Sequence, residues 1–397
     1  MKIGFVYDAL YPYLSGGAEK RYHELASRLA KDHDVHWLTW RFWDADPDPS
    51  LTGVTLHGVG RPGTFYGADG KRTVREAASF AARIVPHLLR ERYDVIDCSA
   101  TPYLPLYAAW AATRLTRTPM VATWHEFWGD HWDDYLANRP AVARSAKRLE
   151  ARAAPLGDRI VAVSEFTARR LRALLPADDR IRVVGNGVDL PAITAVRPSR
   201  KMGAGADLLF VGRLIEDKRV DLLLKAVAEM RAARLELTCL VVGDGPERAA
   251  LESLASTLGV ADCVTFTGTV DTARVIREMK AARVLAFPSV REGFGITVVE
   301  AQACGLVPVV ARSPHSAASD LVTDGVDGLI CEPTVASLAK CLATLLDDVD
   351  LRERMRIAAR SATRRRHWGN VADQMATIYG ELVGSRSAAG RRLEVGS

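Results

Sequence analysis

The sequence predicts an α/β protein made of two domains, each a parallel sheet flanked by helices. Three observations carry this. Short apolar runs recur along the chain, and each gives way to a segment with helical spacing, the alternation that builds parallel sheets. At 397 residues the chain is longer than one hydrophobic core usually serves. Between 191 and 205 the periodicity lapses in a polar, basic piece flanked by Pro and Gly, which reads as a linker.

In the first half, strands are expected near 2–7, 34–40, 94–98, 120–124, 159–163 and 181–184. Met1-Lys-Ile-Gly-Phe-Val-Tyr7 supplies the first. A long loop follows, ending in Ser15-Gly16-Gly17-Ala18-Glu19, and a helix then runs to about Lys31 with Leu25, Ala26 and Leu29 facing inward. Gly16 and Gly17 open that helix, so its free N–H groups are available to an anion. Pro119-Met-Val-Ala-Thr-Trp124 is a central strand that delivers His125 and Glu126.

In the second half, strands are expected near 207–211, 237–242, 262–266, 283–287 and 307–310. Asp207-Leu-Leu-Phe-Val211 runs into Gly212-Arg213-Leu-Ile-Glu-Asp-Lys218, and a helix from Val220 to Met230 follows. Arg213 and Lys218 therefore sit in a strand-to-helix loop at the carboxyl edge of a sheet, where open α/β folds bind ligands. Two cations there suit a diphosphate, Arg by its planar fork and Lys as a point charge. The run from Ala281 to Phe287 is a buried strand that leads into Arg291-Glu-Gly-Phe-Gly-Ile-Thr-Val-Val-Glu300. Gly293 and Gly295 let backbone N–H groups approach a ligand, and Ile296 and Glu300 share a face of the helix that starts there. Phosphate donors beside carboxylates that can accept from hydroxyls describe a sugar-nucleotide pocket. Helices fill 335–347, 350–363 and 371–382.

Composition narrows the function classes. With 48% hydrophobic and 25% charged residues, the chain is an ordinary globular protein. A net charge of +5 without any zinc-finger or RNP motif gives no case for nucleic acid. The six cysteines have no C-x-x-C spacing and sit in apolar contexts, the pattern of buried thiols in a reducing compartment. No signal segment or 18-residue apolar run is found, so a cytoplasmic protein is expected. No organic cofactor is called for. His131-Trp-Asp-Asp134 has the composition of an acidic metal motif but follows no buried strand directly, so no metal is expected.

Together these residues resemble family 4 of the retaining glycosyltransferases, which have the GT-B fold. The match consists of Gly16-Gly17-x-Glu19, Gly212-Arg213 with Lys218, Glu292-x7-Glu300, Asn186-Gly-Val-Asp189 and Gly243-Asp-Gly-Pro246. It spans roughly residues 1 to 383. The resemblance implies two Rossmann-like domains facing across a cleft: an acceptor-binding domain over 1–190, the linker 191–205 and a nucleotide-sugar domain over 206–365. A helix at 366–384 would cross back to the first domain, and 385–397 would be a disordered tail. It implies catalytic roles for Arg213, Lys218, Glu292 and His125, the first two holding the diphosphate. Phe294, Gly295 and Ile296 would hold the donor sugar and distal phosphate, Glu300 the ribose, and Gly16 and Gly17 the phosphates.

The sequence departs from the family pattern twice. Glu126 stands where Asp often follows the histidine, and Arg219 stands where Gly usually follows the lysine. Around His125, Trp124, Glu126, Phe127, Trp128, Trp132 and Tyr135 suggest an acceptor site, with Trp124, Glu126 and Trp128 as its contacts, because aromatic rings stack on sugar faces. Residues 141–182 hold ten Lys/Arg against five Asp/Glu, either a solvated face or a peripheral contact with the inner face of an anionic membrane.

The expected activity is metal-independent transfer of a hexose-type sugar, with retention, from a nucleotide-diphosphate sugar to an acceptor hydroxyl. UDP is the expected base and GDP an option; the acceptor is a small molecule, a lipid-linked sugar or a glycan. Two alternatives remain: a sugar-nucleotide epimerase of the same fold, and a non-catalytic sugar-nucleotide-binding protein. A dinucleotide-dependent oxidoreductase is excluded because no strand is followed by Gly-x-Gly-x-x-Gly.

Overall fold

The computed structural model describes residues 1–14, 16–44, 51–65, 73–198, 205–232 and 236–394. They form two compact units, residues 1–186 with 368–397 and residues 187–367.

The first unit contains β1 (Lys2–Val6), α1 (Gly17–Leu29), β2 (Asp34–Thr39), β3 (Val54–Gly58), α2 (Val74–Arg90) and β4 (Val95–Ser99). It continues with α3 (Tyr103–Thr116), β5 (Met120–Trp124), α4 (His131–Tyr135), α5 (Pro140–Ala153), β6 (Arg159–Ala162), α6 (Glu165–Leu174) and β7 (Ile181–Val183). Its seven strands are parallel, in the order β3-β2-β1-β4-β5-β6-β7. Helices cover both faces of such a sheet, so the central strands β4 and β5 are apolar runs buried at every residue. The edge strand β3 was not expected from the sequence. Its Val-Thr-Leu-His-Gly is short and half-exposed, too weak a pattern to separate from a loop.

The second unit contains α7 (Leu190–Ala195), β8 (Leu208–Val211), α8 (Val220–Arg231), β9 (Cys239–Val242), α9 (Arg248–Thr257), β10 (Val264–Gly268), α10 (Thr272–Ala281) and β11 (Val284–Phe287). There follow β12 (Arg291–Glu292), α11 (Ile296–Cys304), β13 (Val307–Ala311), β14 (His315–Ser316), β15 (Leu329–Cys331), α12 (Val335–Asp347) and α13 (Val349–Thr363). Its main sheet is parallel in the order β10-β9-β8-β11-β13-β15, and β12 and β14 form a separate two-stranded ladder. The three-residue β15 and the two-residue β12 and β14 are too short to leave a periodic signal.

The last helix, α14 (Trp368–Glu394), belongs to the first unit. Trp368, Val371, Ala372, Met375, Ile378, Tyr379 and Leu382 are all buried, a 3–4 spacing that places one apolar stripe against the core. The disordered tail expected over 385–397 needs correction. The helix continues to Glu394 because Ala, Arg, Leu and Glu dominate this stretch and no proline interrupts it; residues 395–397 lie outside those described.

The expected linker also differs. The units divide after Asn186, not at 190, and Val188 N–H donates to Arg366 O at 2.7 Å. Asp189 caps α7 by accepting from Ala192 N–H at 3.0 Å. Lys280 Nζ donates to the carbonyls of Ile193 and Val196 at the end of that helix. Residues 199–204 of the linker lie outside those described.

Candidate functional site

In each sheet the strand order reverses once, between β1 and β4 in the first unit and between β8 and β11 in the second. A crevice opens at such a point, beyond the carboxyl ends of the two strands, because their following loops lead to opposite faces.

In the second unit those loops run from 212 to 219 and from 288 to 295. Lys218 and Glu292 lie 74 positions apart in sequence, and here Lys218 Nζ pairs directly with Glu292 Oε1. Both are largely enclosed, with side chains 19% and 13% exposed. Lys218 Nζ also lies 5.9 Å from the centre of the Phe287 ring at the end of β11. Ser289, fully buried, donates from Oγ to Glu292 Oε1 at 2.9 Å. Arg291 Nε donates to Asp217 Oδ2 at 2.7 Å, and Val290 N–H to Asp217 O at 2.9 Å. The two loops are therefore stitched together by charge and by backbone. Arg213 stands on the same loop as Lys218 and is exposed.

Gly295 caps α11 with φ of 96°, a left-handed conformation that side chains resist. An added Cβ would stand 3.3 Å from both Ala318 Cβ and Leu321 Cδ1. Past this turn the first N–H groups of α11 have no partner within the helix. Ile296 begins the helix, Phe294 packs beneath the turn and is buried, and Glu300 is half-buried one turn on. Gly243 and Gly245 have a different purpose: a Cβ at Gly243 would lie 1.8 Å from Gly212 O, and one at Gly245 2.3 Å from Leu214 O. They let the loops after β8 and β9 touch, where Leu214 N–H donates to Asp244 O at 2.9 Å.

Arg219, where the family pattern has Gly, adopts φ of 50°. The left-handed turn that favours glycine is retained, and the guanidinium is held by Asp221, Nε to Oδ1 at 2.9 Å. It is not an additional free cation in this loop.

In the first unit, His125 follows β5 directly. Its Nε2 is buried and has no hydrogen-bond partner among the described residues, whereas buried polar atoms usually have one. Burial, then the nearby Arg21 cation, lowers its pKa to about 3. His125 is thus a neutral imidazole that can exchange a hydrogen bond with a hydroxyl, not a cation for phosphate. Tyr22 meets its ring edge-on at 5.6 Å and Tyr7 lies at 6.1 Å. Tyr22 is held in turn by Asp97, a buried carboxylate that sequence reading missed. Asp97 Oδ1 accepts from Tyr22 OH at 2.9 Å and Thr123 Oγ1 at 2.8 Å, and Oδ2 accepts from Tyr379 OH at 2.5 Å. The signal available was a carboxylate inside the apolar run Val95-Ile-Asp-Cys98. Desolvation raises its pKa against the three hydrogen bonds that favour the charged form.

Gly16 and Gly17 open α1. A Cβ at Gly16 would stand 2.3 Å from Glu19 Oε2, while one at Gly17 would meet nothing within 4 Å. Glu19 accepts from Tyr7 OH at 2.9 Å.

The aromatic group around His125 divides in two. Trp124 was expected to contact an acceptor; it is fully buried and packs on Tyr103 and Phe127 at 6.0 and 5.7 Å. Both faces of a covered parallel sheet are core, so the last strand residue has no solvent side. Trp128, half-exposed, lies outside that core, stacked on Trp132 at 4.5 Å and edge-on to Tyr135 at 4.8 Å. Glu126 is half-buried beside it. The loop is anchored by Glu150 of α5, again missed from the sequence. Its carboxylate accepts from Trp128 N–H at 2.7 Å, Gly129 N–H at 2.7 Å, Trp132 Nε1 at 3.2 Å and Tyr103 OH at 2.6 Å. Arg170 adds donations to the carbonyls of Phe127 and Trp128 at 2.9 and 3.0 Å. In His131-Trp-Asp-Asp134, His131 Nδ1 lies 3.9 Å from Asp134 Oδ2, and no group of three metal-ligating side chains occurs among the described residues.

Residues 196–362 match the family described as glycosyl transferases group 1, and residues 15–191 match glycosyltransferase family 4. The D-inositol 3-phosphate glycosyltransferase of Acidothermus cellulolyticus is 34% identical, over 96% of this chain and 89% of its own. Sucrose-phosphate synthase from Thermosynechococcus elongatus superimposes with a TM-score of 0.79 at 20% identity, over 97% of this chain and 99% of its own. Anabaena HepE in complex with UDP-glucose gives 0.73 at 21%, over 96% and 100%. The fold is GT-B, and the class is that of nucleotide-sugar-dependent glycosyltransferases. The chain belongs to glycosyltransferase family 4, whose members retain the configuration of the transferred sugar.

The state of His125 has a measurable consequence. Its folded pKa of about 3 lies below the ordinary 6.5, so the unfolded chain takes up the proton first as pH falls. The stability contribution is complete above 6.5 and is lost on descent toward 3, at about 1.4 kcal/mol per pH unit for one proton. His57, held at about 4, adds to the slope over part of this range. Urea unfolding of His125→Gln at about pH 5 and about pH 7 should show a smaller difference than the parent, by roughly one proton's worth. Equal differences would mean that His125 is solvated.

Proposed function

We propose that the protein transfers a hexose-type sugar from a nucleotide-diphosphate sugar, UDP first among bases, to an acceptor hydroxyl. The observation that carries this reading is the meeting of Lys218 and Glu292 where the second sheet reverses, beside the glycine-opened start of α11. As the bond from the sugar's anomeric carbon to the phosphate oxygen breaks, negative charge grows on the distal phosphate. Lys218, with three N–H donors, can keep Glu292 and still meet that oxygen; Arg213 and the first N–H groups of α11 add to it. Donors fixed before reaction stabilise the transition state more than the ground state. Glu292 and the backbone of Phe294, Gly295 and Ile296 take the sugar side, and Glu300 the ribose hydroxyls. Retention follows if the acceptor attacks on the face the phosphate leaves, with that phosphate accepting the acceptor's proton. His125, neutral and unsatisfied at Nε2, hydrogen-bonds a sugar hydroxyl. Trp128 offers a ring face to the acceptor, beside Glu126, and the free N–H groups of α1 at Gly16 and Gly17 suit a phosphate.

UDP bound in the HepE structures supports the choice of base, and the relative's acceptor makes a phosphorylated cyclitol the first acceptor to test. A thermal-shift series with UDP, GDP, ADP and TDP identifies the base, because a nucleotide at a hundred times its Kd adds about 2.7 kcal/mol. Product formation from the matching sugar nucleotide is then followed with and without acceptor. Turnover to an isomeric sugar nucleotide without acceptor would establish the epimerase instead, and no stabilisation by any nucleotide would overturn donor binding.

On α5, Arg144, Arg148 and Arg152 recur every four residues, all exposed, with Val142 51% exposed on the turn before them. None of the three is in an ion pair among the described residues, whereas Lys147 on the same helix pairs with Asp130 and Asp133 at 2.8 and 2.7 Å. No described helix is long and apolar enough to cross a membrane, but this stripe suits the surface of one, at about 1 kcal/mol per arginine near anionic lipid. Sedimentation with phosphatidylglycerol vesicles should recover the protein, with the Arg144/Arg148/Arg152→Ala variant left in solution. Equal sedimentation of the two would remove α5 from the argument.

A further inference from the structure

The first unit holds a polar cavity on the far side, in strand order, from the strand that carries His125. It lies along the β3 edge of the sheet, against the last turns of α2, with a volume of 570 Å³. β2, β1 and β4 stand between β3 and β5, the strand that carries His125. Three guanidinium groups line it, Arg41 from the segment after β2 and Arg83 and Arg90 from α2, together with the imidazoles of His57 and His87. Its one carboxylate, Glu91, is paired with Lys2 Nζ at 3.0 Å. Positive charge is therefore in excess around the space.

Arg41 donates to the carbonyls of Trp43 and Asp44, both at 3.4 Å; the charges of Arg83 and Arg90 are in no ion pair among the described residues. Arg83 is exposed, makes a long 3.4 Å donation to Val59 O, and has its guanidinium carbon 5.9 Å from the Trp40 ring centre. Arg90 is exposed and has no ion pair among the described residues. The rings of His57 and His87 lie 4.3 Å apart, tilted by 59° to one another. Each uses one ring nitrogen internally, His57 Nε2 with His36 Nδ1 at 2.7 Å and His87 Nε2 with Tyr93 OH at 2.8 Å. Burial first, then neighbouring positive groups, lowers His57 to about 4, and burial lowers His87 as well. Both rings are neutral near pH 7, so each has a second nitrogen for hydrogen bonding while the arginines supply the charge.

The plainer reading is that cations gather at the C-terminus of α2 because the helix dipole favours them there. That accounts for Arg90 in the last turn. It does not account for Arg83, two turns earlier, or for Arg41 from another element, which line the same space.

We propose that this cavity is a binding site for a small phosphate-bearing molecule, separate from the donor site. Guanidinium forks match phosphate oxygens in pairs, and 570 Å³ has room for a phosphorylated metabolite. The proposal does not depend on the transfer reaction.

The test uses the full chain with isotope-labelled histidine, titrated with inorganic pyrophosphate against sodium chloride at equal ionic strength. His57 and His87 are assigned from their His→Gln variants. The expected result is saturable movement of both ring signals with pyrophosphate and little with chloride. Arg83→Ala combined with Arg90→Ala, both surface positions, should raise the midpoint about tenfold or more, with nucleotide affinity unchanged. Static His57 and His87 signals, equal movement with chloride, or an unchanged midpoint in the double variant would each overturn the site.

Discussion

Lys218→Ala is expected to lower kcat by about 10²–10³, the usual cost of removing one donor aimed at developing charge. Stability should also fall, by about 2 kcal/mol, because the pair with Glu292 is largely enclosed and its loss leaves the carboxylate without a cation, so kcat is read well below the variant's unfolding midpoint. The pairing also makes a second measurement informative. Without Lys218, Glu292 keeps Ser289 as a donor but loses its cation, leaving an uncompensated carboxylate where a phosphate must arrive. Glu292→Gln in the Lys218→Ala background should therefore recover part of the lost donor affinity while kcat stays low. If Lys218→Ala turned over donor at the parent rate, the assignment of Lys218 to the leaving phosphate would fail whatever the double variant did.

The large architecture was legible because parallel sheets write themselves plainly. Runs such as Val284-Leu-Ala-Phe287 and Met120-Val-Ala-Thr-Trp124 are buried throughout, and the glycines after them mark turns into helices. The same logic placed Arg213, Lys218 and Glu292 on loops at one sheet edge and Glu300 on the helix that follows, though not the direct contact of Lys218 with Glu292 across 74 positions. What escaped falls into two kinds. Short or edge elements, β3 and β15 among them, are too brief for periodicity. Polar groups with distant partners are the other kind: Asp97 reads as one odd residue in a strand until Tyr379, 282 positions away, is folded against it. Trp124 shows the converse error. Its neighbours in sequence are the loop aromatics, but its neighbours in space are core, because strand position decides which side of the backbone a ring occupies.

Glu150→Ala should be the most destabilising single change outside the apolar core, by about 3 kcal/mol in urea unfolding. The reason is the count and kind of its partners. Tyr103 OH, the N–H groups of Trp128 and Gly129 and the indole N–H of Trp132 are all donors, and each carboxylate oxygen accepts two of them. A carboxylate is acceptor-only and satisfies all four, whereas an amide has one accepting oxygen and an NH₂ that would face two donors. Glu150→Gln should consequently lose stability too, by less than alanine but clearly more than an isosteric change at a solvated site. Both variants free the Trp128 loop, so acceptor KM should rise in each while donor KM stays near the parent value. A parent-like unfolding midpoint for Glu150→Gln would mean that water already shares these donors. Full stability loss with acceptor KM unmoved would keep Glu150 as an anchor but remove Trp128 from the acceptor site.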